Sequence, residues 1–183
     1  MKSLSLYYKF TNKADMKFLT FITLALLIVS GCSTEDESNP VDTEKNATGF
    51  VRGYVNGSYW YSKKITTSKN GITRIVKATL DFSNDPVYKT SILEFQIGVN
   101  RVGNFGIGEN EPGFTYAVKA YYTLVSRNGS ADKYHKAHYD NVSTLTISAI
   151  SDKNLDAEFL FNAVTDDSSS AVVLTNGAIQ IDF

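Results

Sequence analysis

The chain is poor in cysteine, histidine and proline, with one, two and three copies among 183 residues. One cysteine cannot form an intrachain disulfide, and two histidines cannot by themselves complete a four-ligand zinc site. The 18 Lys and Arg nearly balance the 19 Asp and Glu, so no overall basic field attracts nucleic acid. With 43% hydrophobic residues, the composition excludes collagen-like, wholly disordered and polytopic membrane proteins. It predicts one globular domain behind a targeting segment, without a cofactor.

A long hydrophobic run is also missing. A membrane-spanning helix needs about 20 apolar residues, and the run at residues 18–29, FLTFITLALLIV, has twelve. Its length is typical of the central region of a secretory signal. We expect the signal peptide to cover residues 1–31, with the true start at Met16, because MKFLTFITLALLIVSGC is by itself a complete signal. Residues 1–15 then belong to an upstream in-frame extension.

The run is followed by Val29, Ser30, Gly31 and Cys32, which resembles the lipobox of bacterial lipoproteins. Small residues let the backbone lie extended in the peptidase cleft, and a thiol accepts diacylglycerol as a thioether. This cysteine is also the only one in the chain. The pattern predicts cleavage between Gly31 and Cys32 and lipidation of Cys32. The alternative is an ordinary signal peptide with an incidental cysteine.

An acidic segment comes directly after the lipobox. Residues 32–47 are rich in charge and contain almost no apolar side chains, a composition that cannot bury enough surface to fold. We expect an extended, flexible tether there. A serine followed by several acids resembles the surface-export signal of Bacteroidota lipoproteins, which implies an outer-membrane protein facing the cell exterior. A merely solvated linker is the alternative.

From residue 48 to residue 183 the hydrophobic period is two. Leu93, Phe95 and Ile97 alternate with polar or small residues, as in a half-buried strand. Asn-Gly pairs occur at 56–57, 70–71, 128–129 and 176–177, and this dipeptide favours tight hairpin turns. The pattern predicts an all-β fold, an antiparallel two-sheet sandwich or a flattened barrel.

About ten short strands fit this pattern. They are predicted at 49–55, 58–65, 72–82, 91–100, 114–125, 133–139, 143–150, 156–164, 171–175 and 178–183. The pair Asn176-Gly177 is predicted to form a tight turn between the last two strands. Ile179, Ile181 and Phe183 then alternate inward.

Three stretches carry a family resemblance: GFVRGYVNGSYW, STLTISAISDKNLDAEFLFNAV and VVLTNGAIQIDF. Their order resembles a lipoprotein domain of Bacteroidota classified as domain of unknown function 6252, over residues 48–183. The chain departs from that family at Asp156-Ala157, where Gly-Thr is usual, and at Asn104-Phe105-Gly106, where Gly-Thr-Tyr is usual. The resemblance implies a fold and a location, and it brings no catalytic residues.

Candidate metal ligands are few. His135 and His138 are the two histidines, with Asp140 nearby. Residues three apart on a strand face opposite sides, so both rings could bind one metal only from a loop or bulge. Surface histidines are the simpler interpretation, and we predict no metal site. Asp81, Asp85 and the pair Asp166-Asp167 lack the spacing of an EF-hand calcium loop.

Candidate catalytic groups are equally sparse. Glu109 and Glu111 could act as paired glycosidase carboxylates, but their glycine-rich surroundings favour a solvated turn. The stretch Gly103–Gly113 lacks the lysine of a phosphate-binding loop. No serine nucleophile elbow is present, and lipidation consumes the thiol. We therefore predict a protein that is not an enzyme.

Aromatic residues cluster at Tyr59-Trp60-Tyr61 and Tyr121-Tyr122, with single copies at Tyr116, Tyr134 and Tyr139. Adjacent aromatics on a strand point to opposite faces, so each cluster should place one ring outward. Trp60, Tyr61, Tyr121 and Tyr122 are the candidate ligand contacts, able to stack on sugar rings. The alternative is that these rings only cover the sheet and keep their hydroxyls wet.

Three classes of function remain open. The preferred one is a non-catalytic lipoprotein, anchored in the membrane through Cys32, whose domain binds or scaffolds a glycan, lipid or protein outside the cell. The second is a barrel that carries a small apolar ligand, as lipocalins do. The third is an extracellular polymer hydrolase, which would need a cleft that brings Glu109 or Glu111 near another acid.

Overall fold

The computed structural model describes residues 42–109, 115–138, 140 and 142–183, and β-strands are the only regular structure among them. The signal peptide, Cys32 and most of the predicted tether lie outside the described residues. Within the described part, eleven strands follow one another: β1 Lys45–Val55, β2 Ser58–Ser62, β3 Lys64–Asn70, β4 Thr73–Asp81, β5 Tyr88–Ile97, β6 Gly103–Gly106, β7 Val118–Ser126, β8 Lys133–Ala137, β9 Thr144–Ile150, β10 Asn154–Val164 and β11 Ala171–Asp182. No helix capable of spanning a bilayer occurs in these ranges.

All strand pairs are antiparallel and belong to one sheet. The pairing order is β11, β1, β3, β4, β5, β7, β8, β10, β9, β6, and β11 also pairs with β10. Eight strands therefore close into a ring, while β2 pairs with β1, and β9 and β6 extend the sheet beyond β10. The predicted all-β antiparallel class is confirmed, and the closed ring is that of a barrel.

Side chains fill the interior of this ring. Phe95 on β5 lies 4.8 Å from Phe159 and 5.9 Å from Phe161, measured between ring centroids. Both Phe95 and Phe161 are fully buried. An eight-stranded barrel has an interior just wide enough for side chains to fill. The inward side chains of alternate residues thus form a packed core.

The strand count and several boundaries differ from the prediction. The predicted strand 58–65 is two strands, β2 and β3, because the pairing with β1 is interrupted at Lys63; β3 then pairs with the start of β1 and, along its whole length, with β4. The glycine-rich stretch Gly103–Gly113, interpreted above as a loop, contains β6, which pairs with β9. β1 begins at Lys45, so its first three residues pair with β3 and are not part of a flexible tether.

The predicted turn at Asn176-Gly177 is wrong. β11 runs through this pair without reversing, and the register shifts opposite it, between Arg52 and Tyr54 on β1 and between Phe159 and Phe161 on β10. Asn176 has a φ of 50°, so the pair forms a β-bulge. Ile179 and Ile181 are buried as predicted, whereas Phe183 is 38% exposed.

The Asn56-Gly57 turn does form the predicted hairpin. Its two residues have φ values of 48° and 79°, the positive pair that a type I′ turn requires. Gly71 has a φ of 60° but is the first residue of its two-residue turn, whereas Gly57 is the second, because Asn70 pairs with Thr73. The same dipeptide therefore serves a turn or a bulge, depending on what its neighbours pack against.

Replacing Gly177 with alanine is expected to destabilise the domain by about 1–3 kcal/mol, the usual range for overpacking a core. A Cβ atom at this position would overlap the ring of Phe159, which is only 4% exposed and cannot swing aside. The measurement is the urea midpoint of unfolding. Gly129→Asn is the control, since nothing lies within 4 Å of its Cβ position and asparagine tolerates the φ of 73° there. Equal midpoints for Gly177→Ala and the wild type would contradict this packing.

Candidate binding face

A row of aromatic rings covers the outer face of the β1–β2 hairpin. Phe50 and Tyr54 on β1 share this face with Tyr59 and Tyr61 on β2, and these four residues are the aromatic strip. The ring centroids of Phe50 and Tyr61 are 6.0 Å apart, those of Tyr61 and Tyr59 are 6.4 Å apart, and those of Tyr59 and Tyr54 are 5.5 Å apart. Tyr59 is 58% exposed and Tyr54 is 39% exposed. The strip thus presents apolar rings and hydroxyl groups to the outside.

Hairpin register produces this arrangement. The turn at Asn56-Gly57 pairs Tyr54 with Tyr59 and Arg52 with Tyr61. Side chains on one face of an antiparallel pair lie within contact distance of their partners. The guanidinium Cζ of Arg52 lies 5.3 Å from the ring centroid of Phe50, which is a cation–π distance. A positive charge therefore stands within the strip.

A polar groove adjoins the strip on the other side of Arg52. It is a cavity of about 510 Å³ on the outer face of β9, β10 and β11. Hydroxyl, amide and carboxyl side chains dominate its lining. The lining residues are Arg52, Thr144, Thr146, Glu158, Phe159, Leu160, Thr175, Asn176, Gly177 and Ala178. The bulge at Asn176 thus stands in this groove, and bulges commonly re-aim side chains at such places.

The predicted aromatic contacts divide between the two faces of the sheet. Tyr61 belongs to the strip, whereas Trp60 is 3% exposed and donates a hydrogen bond from Nε1 to Oγ of Ser91 at 2.8 Å. Tyr122 is also buried, and burial raises the pKa of its hydroxyl. Trp60 and Tyr122 are therefore core residues and lie away from the outer face.

Tyr121 lies on the outer face but is covered by a neighbour. Its ring stacks on Tyr134 at 5.3 Å, which leaves Tyr121 only 6% exposed. Burial, together with a hydrogen bond to the carboxylate of Glu109, raises the pKa of Tyr121. Burial and the negative charge of Glu94 raise the pKa of Tyr134 to about 12. Both hydroxyls stay protonated at neutral pH, and that of Tyr121 donates to the Glu109 carboxylate.

The two histidines do not come together. His135 is fully buried, with Nδ1 3.1 Å from the carbonyl oxygen of Tyr122 and Nε2 3.0 Å from Oγ of Ser170. His138 is exposed. The carboxylate of Asp140 accepts hydrogen bonds from Ser143 and from Nδ2 of Asn162. Across the described ranges, no group of three His, Cys, Asp or Glu side chains is placed to hold a metal ion.

The unfolding free energy is expected to fall as pH drops below about 6.5, the value for an unfolded histidine. Burial lowers the pKa of folded His135, so the unfolded chain binds the proton first as pH falls. The free energy of unfolding then decreases by up to about 1.4 kcal/mol per pH unit. Denaturant titrations between pH 7.5 and 5.5 measure this slope. His135→Gln should flatten this slope, and the same substitution at the exposed His138 is the matched control. An unaltered slope in His135→Gln would contradict the assignment.

The candidate carboxylates have separate local partners. Glu109 lies 3.6 Å from Nζ of Lys119, while Glu111 is outside the described residues. Asp81 pairs with Lys64, and Asp85 accepts two backbone amides of its own turn, which lower its pKa. Asp166 and Asp167 likewise have partners in or near their own loop, and hydrogen bonds from Thr165 and Ser169 lower the pKa of Asp167 to about 2.

In comparisons with known proteins, no family model, curated protein or solved structure matches the chain. The resemblance to domain of unknown function 6252 therefore stays a prediction. Sequence reasoning named Tyr61 but missed Phe50, Arg52 and Tyr54. Their signal was available in the Asn56-Gly57 turn, because a two-residue hairpin loop fixes which residues of the two strands share a face.

Proposed function

We propose that the chain is an outer-membrane lipoprotein that holds a non-catalytic binding domain outside the cell, with a glycan chain as ligand. The lipobox cysteine and the acidic segment support the anchor and its direction. The observation that carries the binding role is the joining of the aromatic strip to the polar groove through Arg52.

The chemistry of this face matches a polyhydroxylated ligand. Sugar rings have apolar C–H faces, which pack on aromatic rings such as those of Tyr59 and Tyr61. Their hydroxyl groups both donate and accept hydrogen bonds. In the groove, the hydroxyls of Thr144 and Thr146 can do both, and the carboxylate of Glu158 can accept. A purely apolar ligand would offer these polar groups no hydrogen bonds.

The alternatives have less support. A carrier of apolar molecules needs an internal cavity, and the interior between β5 and β10 is occupied by packed phenylalanine rings. A glycoside hydrolase uses two carboxyl groups, whereas Glu158 is the one acidic residue among the described residues that line the groove. Binding without catalysis is the function that this face favours.

A glycan array tests the proposal with the mature chain, residues 32–183, carrying Cys32→Ser so that it is not acylated. We expect binding to a polysaccharide and a loss of about fivefold or more in affinity in the double variant Tyr59→Ala, Tyr61→Ala, since two stacking rings together contribute about 1–3 kcal/mol. Tyr134→Ala removes an exposed ring outside the strip and should bind like the wild type.

Two results would overturn the glycan assignment. One is an array without any bound glycan at concentrations at which the folded domain is stable. The other is unchanged affinity in the double variant. Capture of a protein in place of a glycan through the same two tyrosines would keep the face and replace the ligand class.

A further inference from the structure

A buried arginine stands at one end of the barrel. Arg74 follows the inward alternation of Val76 and Ala78 on β4, and its side chain is 7% exposed. Its Cζ lies 4.0 Å from the ring centroid of Phe183. Its Nη2 lies 3.8 Å from a carboxylate oxygen of Asp152. The charge therefore sits inside the barrel end, with the ring of Phe183 on one side.

One amino group of this guanidinium makes no hydrogen bond within the described residues. Nη1 of Arg74 is buried and has no hydrogen-bond partner among the described residues. A buried charged donor without a partner is costly, and buried polar groups of this kind are rare in native structures. The position therefore calls for an acceptor that is not supplied by the described part of the chain.

Two cavities adjoin Arg74, with volumes of about 290 and 140 Å³. Both are lined by Lys69, Arg74 and Asp152. The larger one is also lined by Phe183, Thr67, Ser68, Thr43, Asp42 and Lys45, and Asp42 pairs with Lys45 at 3.9 Å. The smaller one is also lined by three aliphatic residues, Ile72, Val99 and Ile150. The barrel end thus combines Arg74 and Lys69, which share the counter-ion Asp152, with apolar residues, and barrel mouths are common places for ligand sites.

Asp152 indicates which chemical group fits between Arg74 and Lys69. Its carboxylate lies 3.0 Å from Nζ of Lys69 as well as near Arg74, yet its side chain is 86% exposed and stands on the short turn between β9 and β10. A carboxylate held from the solvent side by both cations shows that their spacing suits such a group. Because Asp152 is exposed, an incoming carboxylate can displace it without rebuilding the core.

We infer that this end of the barrel binds a small organic carboxylate with a short apolar body, held by Arg74 and Lys69 in place of Asp152. The carboxylate oxygens accept hydrogen bonds from the guanidinium of Arg74 and from Nζ of Lys69. The apolar body packs against Phe183 in the larger cavity. The site is distinct from the aromatic strip and does not depend on the glycan proposal.

Calorimetric titration of the mature chain with Cys32→Ser tests the site, with benzoate as the probe. We expect millimolar binding to the wild type and two- to about fivefold tighter binding to Asp152→Asn, which removes the competing carboxylate. Asp81→Asn removes another exposed acid, paired with Lys64, and should leave the affinity unchanged. Arg74→Gln should weaken binding by about tenfold or more. Should that variant fail to fold, the gain in Asp152→Asn remains decisive, since an exposed side chain is changed there.

Two further probes separate charge from shape. Benzyl alcohol has the same ring without the carboxylate and should not compete, and inorganic phosphate has charge without an apolar body and should bind more weakly than benzoate. The inference is overturned if neither the wild type nor Asp152→Asn binds benzoate, in which case water satisfies Nη1. It is also overturned if Asp152→Asn shows no gain, or if benzyl alcohol competes as well as benzoate.

Discussion

Replacing Cys32 with alanine is expected to release the protein from the outer membrane or to leave it as an uncleaved precursor. Each buried methylene of an acyl chain contributes about 0.8 kcal/mol, so two or more chains hold a protein on a membrane almost permanently. Because Cys32 is the only cysteine in the chain, no other thiol can take over the lipid. Membrane fractionation with detection of the mature protein measures the change.

A matched control lies six residues away. Ser38→Ala alters the acidic segment without removing a thiol and should fractionate with the outer membrane like the wild type. If Cys32→Ala still fractionates there in mature form, the lipoprotein interpretation is wrong, and the apolar run at residues 18–29 belongs to an ordinary signal peptide.

Deleting residues 178–183 is expected to abolish cooperative unfolding of the domain. β11 pairs with β1 along one edge and with β10 along the other, so it closes the ring of eight strands. The deletion removes Ile179 and Ile181, which are 1% and 2% exposed, and leaves unpaired edges on both neighbours. Burying an aliphatic side chain contributes about 2–5 kcal/mol, against about 5–15 kcal/mol for a whole domain. Thermal unfolding followed by circular dichroism measures the loss.

Phe183→Ala serves as the milder comparison. Its ring is 38% exposed and contacts the guanidinium of Arg74, so its loss should lower the melting temperature while leaving one sharp transition. A chain lacking residues 178–183 that melts as sharply as the wild type, within a few degrees, would contradict the placement of β11 in the ring.

Much of the fold could be predicted because hydrophobic alternation reports burial directly. The inward residues of β5 and β10 are those that the period of two selects. The strand prediction failed where hydrophobic alternation gives no information. β6 has four residues, GNFG, too few for a pattern, and its pairing with β9 comes from tertiary contact. The pair Asn176-Gly177 looked like a turn because asparagine adopts positive φ in bulges as readily as in hairpins.

The binding face was predictable only in part, for a related reason. Tyr61 could be named as an outward aromatic, but its grouping with Phe50 and Arg52 depends on strand register. The groove depends on three strands, β9, β10 and β11, and no sequence pattern predicts that these strands are adjacent. Arg74 breaks the alternation rule itself, since it occupies an inward position of β4. A charged residue among inward positions is the signal that could have pointed to the barrel end.

Binding of a fluorescent glycan to intact cells tests the central claim most directly, because it requires the anchor, the outward display and the binding face together. The probe is the polysaccharide found on the array, and the cells produce either the wild type or the Tyr59→Ala, Tyr61→Ala variant at equal membrane levels. We expect cells with the wild type to retain the label and to lose it after brief external protease treatment, and cells with the variant to retain only background. Equal labelling of the two strains, or labelling that appears only after the outer membrane is opened, would contradict the account.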